Sequence, residues 1–478
     1  MRRKISVFVC ILLCAVFVLG GCADRVEPQV QRAARTDNGN SGVPMDFWYG
    51  KALRISTVSD GVIAEDIWCA ENDALIGDPM YDAMQKRAKT LQEEYGITVQ
   101  TVSPQTDTES AYTYFSRAIK AADTTFDYIC TDGVTSYALA REGMLYDLST
   151  IEALDLTSEL WDATIQEQCM LGDVYFLTGE YTTYDDRSVQ LIAFSKELWE
   201  RYADLLGAED PYTLVQQGSW TLEKMYSTAA LVAAQKQTTA DRDALYGCML
   251  TDDAITGFLQ GADVRISRPN ALMQRLDFPG SKTDAVWNAL VSFYASSAVL
   301  NRSERSGFQQ DYFQNGGSLF YTDTLAGILQ MRALRHDFRF GLLPYPKYDV
   351  SQPAYYAACA PGEMVFMSMP ITVRDVSATG YALQALAYVS AQTLTPAFYE
   401  KVLYGNTVRD TESEPMLRLI LSSKSVDLAN MCNWGGCADL LQQALHEKWV
   451  DISARYRRNV QQIEKDFMND MQRFATLQ

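Results

Sequence analysis

The 478-residue chain has little of what most catalytic chemistry needs. It holds two histidines, His336 and His446, far apart in sequence. There is no H-E-x-x-H pair for zinc and no G-x-S-x-G elbow for a nucleophilic serine. The phosphate-cradling G-x-x-x-x-G-K-[ST] and G-x-G-x-x-G are also missing. No C-x-x-C pair occurs among the cysteines, which argues against a thiolate metal site. Positive charge is also scarce. With 41 basic and 60 acidic side chains the net charge is −19, and it becomes more negative once Arg2, Arg3 and Lys4 are removed with a leader. Nucleic acid and anionic lipid both call for clustered positive charge, so neither is an expected partner. Acidic residues abound, and a paired-carboxylate glycosidase needs no fixed sequence spacing, so that class stays open.

A leader is present at the start. Arg2, Arg3 and Lys4 precede an apolar run from Ile5 to Leu19, interrupted only by Ser6, and Gly20-Gly21-Cys22 follows. The three-part layout is that of a secretory signal and is short for a spanning helix. Leu19-Gly20-Gly21-Cys22 resembles the lipobox of bacterial lipoproteins, in which the cysteine is acylated and becomes the first mature residue. The expectation is a signal peptide over residues 1–21, a lipid on Cys22, and an extracytoplasmic chain held at a membrane. Residues 22–48, rich in Pro, Gln, Arg, Asn and Gly, read as a tether of roughly 25–30 Å. Beyond Cys22 stand Cys69, Cys130, Cys169, Cys248, Cys359, Cys432 and Cys437, an odd number that leaves at least one thiol outside any internal bridge. Most suit small buried positions, and Cys432 with Cys437 could close a short loop.

Hydrophobic periodicity organises the body. "ALRISTV" (52–58) alternates as a strand. Asp78-Pro79 carries a capping oxygen and then a proline for the first helical turn. Met80, Met84, Ala88, Leu91 and Tyr95 follow at helical spacing, and Gly96 closes the helix. "ITVQTV" (97–102) predicts a strand, Tyr112, Phe115 and Ile119 a helix, "FDYIC" (126–130) a strand, and Tyr137 to Glu142 a helix ended by Gly143. Strand alternating with helix predicts an α/β fold with a parallel sheet. Ligands of such sheets sit beyond the carboxyl ends of the strands. That rule singles out the loops at Asp60 and at Thr131-Asp132, although aspartate before glycine is also ordinary turn chemistry. Further strands are predicted at 174–178, 189–194, 316–324 and 338–345, with a helix capped by Ser195. A final helix from Asp451 carries the stripe Ile452, Tyr456, Val460, Ile463, Phe467, Met471 and Phe474, which suits packing on the body. Trp220, just before a Thr221 cap, also suits packing. So long a chain exceeds one ordinary domain, so two lobes are expected.

Several stretches in a fixed order carry a resemblance: the lipobox, "LQEEYGITV", "FDYICTDGVTSYALAREGMLYDLS", "GDVYFLTGE" before "LIAFSKELWERY", "GSWTLEKM", "GGSLFYTD" and "FGLLPYPKYDVSQPAYY". Over residues 50 to 450 the chain resembles the family 1 extracellular solute-binding proteins, lipid-anchored receptors of ABC importers for sugars and oligosaccharides. The resemblance implies a two-lobed periplasmic-binding-protein-like fold with discontinuous lobes and a hinged cleft. Lobe 1 would comprise 49–178 and 320–370, and lobe 2 would comprise 179–319 and 371–478, with crossings near Thr178 to Ser188, Phe320 and Pro370. It implies a monomer without cofactor or metal, partnered by a carbohydrate and by the importer's transmembrane subunits. The expected cleft residues are Asp60, Thr131, Asp132, Glu180, Tyr184, Asp185, Tyr321, Asp323 and Trp434. Aromatic faces would cover sugar rings while carboxylates bind the hydroxyl rim. Thr178 stands where relatives often carry proline, and Tyr321 where they carry tryptophan. For Trp434, between Asn433 and two glycines, a sugar platform and a packed anchor are both compatible with the local sequence. The competing classes are a tethered glycoside hydrolase and a sensory or structural surface lipoprotein.

Overall fold

The computed structural model describes residues 42–43, 51–57, 73–102, 108–207, 209–235, 244–251, 253–300, 308–334, 337–407 and 411–477. All of them fall in one compact unit, Asp37–Gln478. Cys22, the tether apart from residues 42–43, Asp60, Cys69 and His336 lie outside the described residues, and Val43 is buried in the core rather than free.

The first sheet grows from the predicted alternation. Strand β1 (Ala52–Thr57) pairs in parallel with β2 (Thr98–Val102) and with β3 (Tyr128–Thr131). The connecting helix Pro79–Tyr95 begins where Asp78 Oδ1 accepts from the backbone N–H of Met80 (2.9 Å) and Tyr81 (3.0 Å). It ends at Gly96, whose φ of 66° a side chain would resist. Met80, Met84, Leu91 and Tyr95 face the sheet, and the helices Thr108–Lys120 and Gly133–Arg141 follow β2 and β3. That order is the one expected.

Past the helix Gly133–Arg141 the chain is mostly loop over 142–183, with one short α-helix at Ala163–Gln168, and no strand forms at 174–178. The one pairing there is an antiparallel bridge of Leu177 with Met367. Residues Tyr184–Arg187 make a single helical turn. The second sheet then opens with β4 (Gln190–Ser195), every residue buried, with Ser195 capping the next helix. Strands β5 (Tyr246–Met249), β8 (Val299–Leu300), β9 (Ser318–Thr324) and β10 (Phe340–Leu343) complete the order β10-β4-β9-β5-β8, and β6 (Ser267–Asn270) forms a separate hairpin with β7 (Met273–Leu276). Trp220 is wholly buried against Phe320 and donates its indole N–H to Pro344 O at 2.9 Å.

Here the lobe boundaries depart from expectation. Residues 320–370 were assigned to lobe 1, but β9 pairs with β4 and β5, and β10 pairs with β4. Only β12 (Phe366–Ser368) returns to the first sheet, antiparallel to β3, while β11 (Ala357–Ala358) pairs with β13 (Lys424–Ser425). Residues 371–478 are divided too. The helix Val376–Pro396 lies on Pro79–Tyr95 beside the first sheet, where Arg87 Nη1 donates to Ser390 Oγ at 3.1 Å and Tyr128 Oη to Thr379 O at 3.2 Å. The helix Ser413–Ser422 returns to the second sheet's side, with Ser413 Oγ 2.7 Å from Tyr212 Oη. Backbone pairing overrides linear order because β9 is buried on both faces and fits the interior of either sheet.

The last helix, Ile452–Phe474, extends about 34 Å. Its first turn meets the second sheet's side, where Asp284 accepts from Ser453 N–H (3.2 Å) and Tyr456 packs on Phe278. Its last turns meet the helix after β3, where Asp470 takes the Tyr137 hydroxyl and pairs with Arg141. The stripe packs on the body as expected, apart from the half-buried Val460.

Candidate functional site

A cavity of about 220 Å³ opens between the elements of the two sheets. One wall is the start of the helix Gly133–Arg141, at the carboxyl end of β3, through Val134. The facing wall is the helix Ala254–Gly261 with the following Val264–Ile266. Pro361 and Gly362, then Asp427, Asn430 and the stretch 438–442, close the sides.

The expected residues distribute unevenly around this space. Asp132, 3% exposed, caps the Gly133 helix, accepting from Thr135 N–H and Thr135 Oγ1, both at 2.9 Å. Thr131 Oγ1 lies 2.9 Å from Ser136 Oγ. Neither side chain is on the cavity wall; both fix the turn that presents Val134 to it. Gly133 is needed for close approach, since a Cβ there would lie 2.9 Å from the Met431 side chain.

The crossover acids go elsewhere. Glu180 is buried and accepts from the Thr395 hydroxyl. Tyr184 is buried beneath the Arg187 guanidinium. Asp185 and Asp186 accept from Lys424 Nζ at 3.1 and 2.9 Å, and Asp162 pairs with the same ammonium. Three carboxylates thus converge on one buried cation where the chain passes between sheets. None of these residues lines the cavity: Lys424 holds Asp162, Asp185 and Asp186, Thr395 holds Glu180, and Tyr184 packs on Arg187.

Tyr321 is also internal. It is 2% exposed, stacks on Phe313 with ring centroids 5.4 Å apart, and gives its hydroxyl to Asp323. Asp323 further accepts from Thr324 N–H (2.8 Å) and Gln310 Nε2 (3.3 Å), and burial raises its carboxyl above the usual range. Beside it Glu363, half-buried, is pushed up to about 7, first by burial and then by the charges of Asp323 and Asp253. Asp253 and Gly362 belong to the cavity lining, so this acidic group abuts it.

Trp434 is an anchor. The indole is 2% exposed, edge-on to Phe467 at 5.0 Å, and donates its N–H to Asp470 (3.0 Å), with Tyr137 Oη at 3.2 Å. Its face is packed, so the platform alternative does not fit this position. Asn430, Ala438, Asp439 and Gln442 of the surrounding stretch meet the cavity instead. Cys432 and Cys437 are both free, as are the other described cysteines.

Sequence reasoning missed Gln260, Arg265 and Asp427. Gln260 and Arg265 are 1% and 8% exposed, yet both line the cavity. Asp427 accepts from the N–H groups of Ile266 (2.6 Å), Ser267 (3.0 Å) and Ala429 (3.1 Å) and from Ser267 Oγ (2.7 Å), which ties that stretch to the loop that carries Arg265 into β6. Nothing in "FLQGADVRIS" marks these residues locally, since a polar residue between aliphatics is what any half-buried segment shows.

The sequence matches no known family model and no curated protein. Solved structures do match. A cyclo/maltodextrin-binding protein complexed with maltotetraose superposes with a TM-score of 0.56 at 12% identity, covering 89% of this chain and 97% of that one. An ABC substrate-binding protein of Listeria monocytogenes in complex with cycloalternan gives 0.54 at 11%, over 89% and 98%. The GacH receptor of Streptomyces glaucescens, solved unliganded and with acarbose, gives 0.52 at 13%, over 89% and 98%. At these identities the likeness is one of fold. This chain is built on the two-lobed α/β fold of the ABC solute-binding proteins.

Proposed function

We propose that this chain is a family 1 extracellular solute-binding protein, a receptor that captures a carbohydrate, an oligosaccharide by preference, and delivers it to the transmembrane subunits of an ABC importer. The observation that carries this is the placement of the cavity. It lies where the carboxyl end of β3 in one sheet's unit faces the helix Ala254–Gly261 of the other, at the seam of a fold whose solved neighbours hold maltotetraose, cycloalternan and acarbose. Ligand bridging such a seam favours a closed arrangement of the lobes by its differential affinity for it. Acylation at Cys22 would keep the receptor on the extracytoplasmic face, within reach of the importer. Mass spectrometry of membrane-derived protein is expected to show residue 22 as the lipidated N-terminus, and an unmodified terminus elsewhere contradicts the anchor.

One observation favours a second class. Glu363, with a carboxyl pushed up to about 7 beside Asp323 and Asp253, has the protonation that a glycosidase acid needs. Thermal shift against a saccharide panel tests both. A receptor gains about 2.7 kcal/mol at a ligand concentration one hundred times Kd and returns the sugar intact. New reducing ends in the same samples would support a hydrolase.

A further inference from the structure

We infer that the Gln260–Arg265 wall of the cavity is a subsite for an oxyanion, so that the saccharide this protein takes is an acidic one, bearing a carboxylate or a sulfate or phosphate ester. This rests on the receptor function proposed above and narrows its ligand.

Hydrogen-bond accounting makes the case. Arg265 is 8% exposed, yet among the described residues no carboxylate pairs with it. Its single hydrogen bond runs from Nη1 to the neutral Gln168 Oε1 at a long 3.4 Å, its guanidinium lies 5.2 Å from the Tyr356 ring centroid, and its Nε has no partner. The carboxylates around it are committed. Asp427 accepts four hydrogen bonds from Ile266, Ser267 and Ala429. Asp263 and Asp277 pair with Arg268 at 2.8 and 2.5 Å. Burial first, and then the Arg268 charge, lower the Arg265 pKa against the pull of Asp427 and Asp263, which lie near it without pairing with it.

Gln260, 1% exposed, turns its Oε1 to the Ser425 hydroxyl and leaves Nε2 without a partner. Both unpartnered groups are donors, and both residues line the same cavity. Buried donors normally find acceptors, and a buried charge normally finds its opposite. A sugar hydroxyl is neutral and would leave the guanidinium charge without a counter-charge in contact. A planar or tetrahedral oxyanion accepts from the guanidinium fork and neutralises it. Of the three acids on the lining, Asp253 and Asp439 are exposed and screened by water, and the buried Asp427 carboxylate is taken up by its four hydrogen bonds, whereas the guanidinium sits where screening is weak.

The test is titration calorimetry of the mature protein with matched pairs: oligogalacturonides against galacto-oligosaccharides, glucuronate-containing against glucose oligomers, and sulfated or phosphorylated sugars against their parents. Inorganic sulfate and phosphate form a separate arm. At least one acidic saccharide is expected to bind about 10- to 100-fold tighter than its neutral parent, with affinity falling as salt rises. Whichever pair shows the preference distinguishes carboxylate from ester. Arg265→Gln should bring the acidic saccharide down to the affinity of its neutral parent, so that the ratio between them falls to about one, and Gln260→Leu should reduce that ratio. Arg265→Met should melt no lower than wild type without ligand, since it removes a buried charge that no carboxylate among the described residues pairs with. A neutral sugar binding as tightly as its acidic partner, with Arg265→Gln unchanged, would overturn the subsite and leave the receptor standing. Binding of the inorganic anions alone would overturn the saccharide assignment. If no saccharide of either charge binds, the receptor function itself fails.

Discussion

Replacing Trp434 by alanine should destabilise the protein rather than blind its cleft. The indole is 2% exposed, packs edge-on against Phe467, and donates to Asp470 at 3.0 Å. A buried tryptophan withdraws about 200 Å² from water, roughly 5 kcal/mol at ~25 cal/mol per Å². Residual structure in the unfolded chain trims this, and measured truncations of core aromatics cost about 3–5 kcal/mol. Trp434→Phe keeps most of the area and gives up the N–H, so it should cost about 1.5–3 kcal/mol, the scale of one hydrogen bond to a charged acceptor. The effect should be cooperative, because Asp470 also receives the Tyr137 hydroxyl and pairs with Arg141, holding the last turns of Ile452–Phe474 to the helix after β3. Urea unfolding of the three proteins gives the stabilities, and calorimetry with ligand gives the affinities. An alanine variant within about 0.5 kcal/mol of wild type but tenfold weaker for ligand would refute the anchor and restore the platform.

Other substitutions probe the seam and the acidic group. Lys424→Met removes the cation shared by Asp162, Asp185 and Asp186 and should cost about 3–5 kcal/mol in urea unfolding; a neutral result would mean the cluster does not hold the crossover. Glu363 binds its proton up to about pH 7 in the folded state against an ordinary 4.5, so the folded state holds more protons between those values and stability falls as pH rises through them. Glu363→Gln should therefore gain up to about 3 kcal/mol over wild type near pH 8 and nothing near pH 4.5, and a gain independent of pH would contradict the shift. Asp427→Ala abandons three backbone N–H groups and the Ser267 hydroxyl. It should cost about 3 kcal/mol or more by thermal or urea unfolding, and a change below about 0.5 kcal/mol would mean these bonds are replaced by water.

The first sheet was legible because its signals are local. Asp78, Pro79 and Gly96 punctuate one helix, and the strand-to-helix order follows from period alone. Sheet membership was not legible for β9, where a run buried on both faces carries no mark of its neighbours. The turn after β3 abuts the cavity through Val134, although Thr131 and Asp132 do not line it, and Asn430, Ala438 and Asp439 of the 430–440 stretch do. The ring within it turns away because Asp470, 36 residues further on, claims the indole. Likewise the acidic crossover suggested sugar hydroxyls, but Lys424, 239 positions from Asp185, claims the carboxylates. Gln260 and Arg265 could not be picked out at all. What distinguishes them is the partners they lack, and that exists only once the chain has folded.

The central claim is that a saccharide binds in the cavity between the two sheets and leaves unchanged. Thr256, half-buried on the cavity wall, offers the direct test. Calorimetric titration of wild type and Thr256→Trp with the tightest saccharide, followed by analysis of the recovered sugar, measures location and turnover together. The account predicts saturable one-to-one binding to wild type, loss of that binding in the filled-cavity variant, and sugar recovered intact. Undiminished binding to Thr256→Trp, or a shortened sugar, would contradict it.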